Sequence, residues 1–125
     1  MEETAELIPL FTTDGEVGAI YRHPYLFNPQ GEWIGWVTVD GSVYSVSGSF
    51  AGCLTNDRRI VRPRAYDYTR PSILPPPPPK PIRPPGLFPL PPMMAELAYN
   101  SLDVLQDAPE LLPTTDAGEL RQDMD

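Results

Sequence analysis

The chain has 125 residues, 18 of them proline, so it holds one small domain with a substantial share of the residues outside it. A net charge of −8 argues against nucleic acid as the main ligand, since Lys and Arg neutralising phosphates dominate that affinity. The single cysteine, Cys53, excludes an internal disulfide, and no apolar run nears the ~18 residues of a transmembrane helix. The acidic start MEETAELIPL has neither the basic residues nor the apolar run of a signal peptide, which points to a soluble cytoplasmic protein.

Charge is segregated along the chain. Residues 1–57 carry eight acids and one arginine, residues 58–92 seven basic groups and one acid, and residues 93–125 eight acids and Arg121. Thirteen prolines lie between Pro63 and Pro92. Proline lacks an amide donor and cannot build helix interior or central sheet, so the foldable domain is 1–64, followed by a proline-rich arm over 65–92 and an acidic tail over 93–125.

Within the first segment a pattern repeats: aromatic-x-x-x-Gly-x-aromatic-x-Gly-x-aliphatic-Thr. Phe27, Gly31, Trp33, Gly35 and Val37 match Tyr44, Gly48, Phe50, Gly52 and Leu54 at a spacing of 17. A first copy runs from Phe11 through Gly15, Val17, Gly18 and Ile20, with one residue missing before Gly18. A fourth begins near Ile60 and Val61 and is interrupted by Pro63. Short repeats of this kind bury a face only by packing on one another. Period-two alternation and the connectors TTDG, NPQG and SVSG make each copy a β-hairpin, glycine ending a type I turn in the left-handed region. Strands are predicted near 7–11, 16–21, 25–28, 32–38, 43–46, 49–55 and 59–62. The fold class is all-β, a small antiparallel meander of repeated hairpins. Alternation puts Trp33, Gly35 and Val37 on the shared core face and Ile34, Trp36, Ala51 and Cys53 on an outer face.

In the arm, LPPPPPKPIRPPGLFPLPP fixes a polyproline II rod. Ile73, Leu74, Ile82, Leu87, Phe88 and Leu90 recur within it, so the rod lies along a surface. Pro75-x-x-Pro78-x-Lys80 and Pro78-x-x-Pro81-x-Arg83 fit the form accepted by SH3-type grooves, a pattern that any proline run with a nearby cation satisfies. In the tail, Met94, Leu97, Leu102 and Leu105 form a rough stripe with room for one short helix near 94–106, ended by Pro109; the rest is irregular.

Residues that carry chemistry are sparse. His23 has no companion histidine, so a metal site of ordinary composition is unsupported. Cys53 fills an ordinary repeat position, with Trp36 and Ala19 as its equivalents. The acids Asp14, Glu16, Glu32, Asp40 and Asp57 sit where turns favour them. The glycines have neither dinucleotide nor P-loop spacing. No catalytic residue, metal or cofactor is expected.

The segments Tyr25–Val37 and Val43–Leu54 resemble bacterial four-fold β-flower proteins, whose hairpins repeat an aromatic, a turn glycine and a Val-Gly or Leu-Gly pair. The resemblance covers about residues 7–62. It implies four hairpin petals about a pseudo-four-fold axis, and no activity. Small SH3-like or PRC-barrel modules are the alternative fold.

The functional expectation is a non-enzymatic linker, its β domain an anchor and its arm and tail docking along a larger protein assembly. Trp36, Leu74, Pro75, Pro78, Pro81, Arg83, Leu87, Phe88, Met94, Leu97, Leu102 and Leu105 are the candidate partner-binding residues, with self-association left open. The alternative is a small ligand-binding or enzymatic barrel using Trp36 and Tyr44.

Overall fold

The computed structural model describes residues 6–64 and 72–115; residues 1–5, the first seven residues of the arm and the last ten of the tail lie outside them. Eight antiparallel strands form one sheet in sequence order. They are β1 (Ile8–Phe11), β2 (Val17–Arg22), β3 (Tyr25–Phe27), β4 (Trp33–Val37), β5 (Ser42–Ser45), β6 (Phe50–Leu54), β7 (Ile60–Pro63) and β8 (Ser101–Asp103). A four-residue helix, α1 (Val104–Asp107), and a 3₁₀ turn over Pro109–Leu111 follow. The expected all-β meander is the fold, with the ends of β1 to β7 within two residues of those read from the sequence and β8 unexpected. The sheet curls back on itself, so that β1 and its tip meet the link before β7: the Phe11 amide donates to the Arg58 carbonyl at 2.7 Å, and the Arg59 guanidinium to Thr13 Oγ1 at 3.0 Å.

Consecutive strand pairs make four hairpins, called petals below. The tips of the first three are one turn used three times. Gly15, Gly31 and Gly48, at φ 89, 92 and 92°, each donate to the carbonyl three residues back. The links between petals at Thr38–Ser42 and Thr55–Arg59 repeat that geometry, with Arg58 at φ 66° in the glycine position of the second. Between petals one and two the link is shorter. Arg22 pairs directly with Tyr25 across His23–Pro24, which are joined by a cis peptide. The residue by which the first repeat is short is therefore lost in this link and not before Gly18.

The face assignment also needs correction. Phe27 pairs with Trp33 and Leu26 with Gly35, so Ile34 is an extra residue without a partner. Ala51 is the same bulge in petal three and Gly18 in petal one. A bulge puts two successive residues on one side of the strand and reverses the alternation before it. Ile34 and Ala51 consequently belong to the core, and Trp33, expected there, does not. Trp33 is half-buried, edge-on to Tyr25 at 6.2 Å. The register that follows makes Ile20, not Ala19, the equivalent of Trp36 and Cys53.

The core draws Leu10 and Ala19 from petal one, Leu26, Ile34 and Val37 from petal two, Val43 and Ala51 from petal three, and Ile60 from petal four. Val104 and Leu112 come from beyond the arm. The other side of the sheet is largely covered too, with Phe11, Ile20, Phe27 and Tyr44 buried on it.

The fourth petal is completed by the chain itself. Strand β8, drawn from the segment expected to be a tail, pairs with β7 through Val61–Asp103, Arg62–Leu102 and Pro63–Ser101. The helix expected over 94–106 reduces to α1. Isolated helices of that length are marginal in water, and residues 101–103 gain more by satisfying the open edge of β7. Burial of Val104, worth about 2 kcal/mol, holds this return segment against the petals.

One contact gives the fold a pH dependence. The Arg59 guanidinium, 2.5 Å from Asp57 Oδ2, and then the Thr55 hydroxyl hold the Asp57 carboxyl below its ordinary 3.8, against partial desolvation that raises it. A folded value below the unfolded one adds stability above the ordinary carboxylate range, and this is lost as pH falls through 3.8 and below. In urea titrations across pH, wild type is expected to exceed Asp57→Asn in stability near neutrality, with the gap closing below about pH 4. A gap that persists in acid would refute this assignment.

Candidate functional site

The arm lies on the petals of its own chain. From Phe88 onward burial repeats every three residues: Phe88, Pro91, Met94 and Leu97 are half-buried, and the two residues between each are exposed. The row extends back through Ile82, Pro79 and Pro76, also half-buried, with exposed Pro85 as its one interruption. Three residues per turn is the period of polyproline II, so the arm presents one face inward and two outward.

The inner face is pinned by main-chain contacts at the petal tips. The Ile73 amide donates to Gly48 O and the Ile82 amide to Gly31 O, both at 3.0 Å. Pro91 reaches the third tip, where a Cβ on Gly15 would lie 3.5 Å from its Cγ. The Tyr25 hydroxyl adds a bond to Pro77 O at 2.7 Å. At the fourth petal the Arg64 amide donates to Asn100 O at 2.8 Å and its guanidinium to Tyr99 O at 2.7 Å. From Ser72 onward the arm thus passes the tips of petals three, two and one and returns to the fourth as a belt.

This geometry sorts the predicted binding residues. Phe88, Met94 and Leu97 share the inner row, where they cover the chain's own surface. Leu102 is in β8, and Leu105 packs on the core; a Cβ on Gly18 would lie 3.0 Å from the Leu105 Cβ. Pro75 is half-buried, whereas Leu74, Pro78, Pro81, Arg83 and Leu87 are exposed on the outer faces. Trp36 stands apart from the belt contacts just named. It stacks on Tyr44 with ring centroids 5.3 Å apart, and its Nε1 is enclosed with no hydrogen-bond partner among the described residues. The pair proposed for a ligand barrel is spent largely on each other.

A cleft of about 370 Å³ lies between belt and petals, lined by Leu7, Arg22, Tyr25, Phe27 and Pro79–Arg83. Among the described residues no group of three or more His, Cys, Asp and Glu could hold a metal ion. Among them, too, no helix is long and apolar enough to cross a membrane. No family model, curated protein or solved structure matches the chain.

Two features escaped the sequence reading. The turn pattern marks the tip glycines as turn formers, and in the fold two of them also accept the belt's amides. Leu90, Met93 and Tyr99 are not among the binding residues expected from the sequence, yet they are almost fully exposed. Counting the arm in threes separates Leu87, Leu90 and Met93 from Phe88, Pro91 and Met94; the helical stripe chosen for Met94 and Leu97 uses the same i, i+3 spacing.

Proposed function

We propose that this chain is a non-enzymatic interaction module whose petal scaffold holds a proline belt against a partner protein. The observation that carries this reading is a ridge on the belt. Leu87, Leu90 and Met93 are 88, 90 and 98% exposed and follow one another at a three-residue spacing. On polyproline II that spacing aligns them along one edge, about 9 Å apart. Large apolar side chains in a row on a soluble surface mark an interaction site. The backbone beneath them is already ordered, so a partner docking on the ridge pays little further entropy.

Pro78, Pro81 and Arg83, exposed on the same belt, extend the surface toward its start. The four hairpins support membership of the β-flower family, with its fourth petal interrupted by the belt. A larger assembly supplies the partner in this reading. The cytoplasm is its compartment, where a lone exposed thiol such as Cys53 stays reduced.

The test is a full chain carrying Leu87→Asp, Leu90→Asp and Met93→Asp. A photo-crosslinking residue at position 89 reports what docks there. The triple variant is expected to lose capture of the wild-type partner by at least about tenfold. Its stability is expected to stay within about 0.5 kcal/mol of wild type, because these side chains are almost wholly solvated. Equal capture by both proteins would remove the ridge from the function.

A further inference from the structure

The petal tips and the belt share a frame. Positions 73, 82, 91 and 100, nine apart, are where the belt meets the three tips and returns to the fourth petal. Nine residues of polyproline II are three full turns and about 28 Å, so the same face comes round at each meeting. At two of the tips the contact is main chain to main chain. Gly31 accepts the Ile82 amide, and its own missing side chain leaves room for the Ile82 carbonyl, which a Cβ there would approach to 2.0 Å. Gly48 does the same for Ile73, with a Cβ site 2.1 Å from its carbonyl. The link glycine Gly41 has the same left-handed φ, yet its Cβ site meets nothing nearer than Leu54 O at 3.9 Å. Turn geometry alone therefore does not create the notch; the tips have it where the belt crosses.

We propose that the tips at Gly31 and Gly48 form a binding site for extended proline-rich strands, read through the main chain in a nine-residue frame. The chain's own belt is the resident ligand, and the belt of a second copy is the ligand the site fits in trans. Recognition needs a free amide at two positions nine apart and a polyproline II backbone between them. The five prolines from Pro75 to Pro79 supply that backbone, and Ile73 and Ile82 supply the amides. The Tyr25 hydroxyl reads a carbonyl at an intermediate position, Pro77. These contacts use the inner face of the belt and do not depend on the outward ridge.

The probe is a fluorescent peptide spanning residues 72–84, followed by anisotropy. The receptor is the full chain with Ile73→Pro and Ile82→Pro, which removes both amide donors while keeping the polyproline II backbone. The peptide is expected to bind this variant at least about tenfold tighter than wild type, whose notches are filled at a high effective concentration. One proline inserted in the peptide between its two isoleucines makes the step ten and turns one amide away, so affinity should fall at least about tenfold. Gly31→Ala added to the variant should weaken binding at least about tenfold, whereas Gly41→Ala, with the same left-handed φ and open space at its Cβ, should not. Equal binding of the nine- and ten-step peptides, or no binding of the nine-step peptide up to about 1 mM, overturns the trans site. A readout on the unaltered chain guards against a misfolded variant: the Ile73 and Ile82 amides should exchange at least about tenfold slower than those of Leu74 and Arg83. Equal exchange rates overturn the notches themselves.

Discussion

Gly31→Ala is expected to destabilise the protein by about 3–5 kcal/mol, whereas Gly41→Ala should cost only about 1–2. Both glycines have left-handed backbones, at φ 92 and 87°, so both substitutions incur the penalty of an L side chain there. At Gly41 that is nearly the whole cost, because the added methyl enters open space. At Gly31 the methyl would lie 2.0 Å from Ile82 O, a backbone atom that cannot rotate aside. Either the tip distorts or the belt lifts off. Lifting breaks the Ile82–Gly31 hydrogen bond, worth about 1 kcal/mol, and uncovers the apolar surface beneath. Urea unfolding measures both losses, and amide exchange at Ile82 reports the belt directly. In the Ile82→Pro background, where the bond is already gone, the excess of Gly31→Ala over Gly41→Ala should shrink. Equal losses for the two glycines would mean that the belt is not held at the tip.

The repeated turn glycines were enough to place every strand up to β7, because period-two alternation and a glycine after each tip are local signals. Faces were harder. One extra residue per petal, Gly18, Ile34 or Ala51, flips the strand, and a bulge leaves no mark that pattern matching detects. Strand β8 was beyond reach for a different reason: Ser101–Asp103 is three residues long, and its partner lies across the whole arm. The belt was legible in part. Apolar residues among prolines implied a surface under the rod, and that surface is the chain's own petals. The choice between helix and extended strand at Met94 and Leu97 turned on a period of 3.6 against 3.0, which two residues cannot resolve.

The closing strand depends on one buried carboxylate, and Asp103→Ala is expected to cost about 3–5 kcal/mol. Asp103 is 1% exposed and lies 90 residues along the chain from Thr13. Its Oδ2 accepts from the Thr13 amide at 2.7 Å and the Thr13 hydroxyl at 2.5 Å. Its Oδ1 caps α1 by accepting from the Gln106 amide at 3.3 Å. One side chain thus ties the tip of petal one to the strand that completes petal four, while Arg59 reaches the same Thr13 hydroxyl from β7's side. Burying a carboxylate is itself expensive, and replacing a buried charge by an apolar group can be neutral where its partners are removed as well. Here the partners stay. Alanine would orphan the Thr13 amide and hydroxyl, at about 1–3 kcal/mol each, and remove a helix cap worth about 1. The penalty of the orphans therefore exceeds the relief of desolvation. Asp103→Asn keeps one acceptor oxygen and should lose about half as much, and Gln106→Ala, at an exposed side chain, should lose less than 1 kcal/mol. That ordering, read by urea unfolding, distinguishes a hydrogen-bond hub from general packing, and the Thr13 amide should lose its exchange protection in Asp103→Ala alone. If Asp103→Ala and Gln106→Ala prove equally mild, the fourth petal is held by Val104 and Leu112 packing and not by the carboxylate.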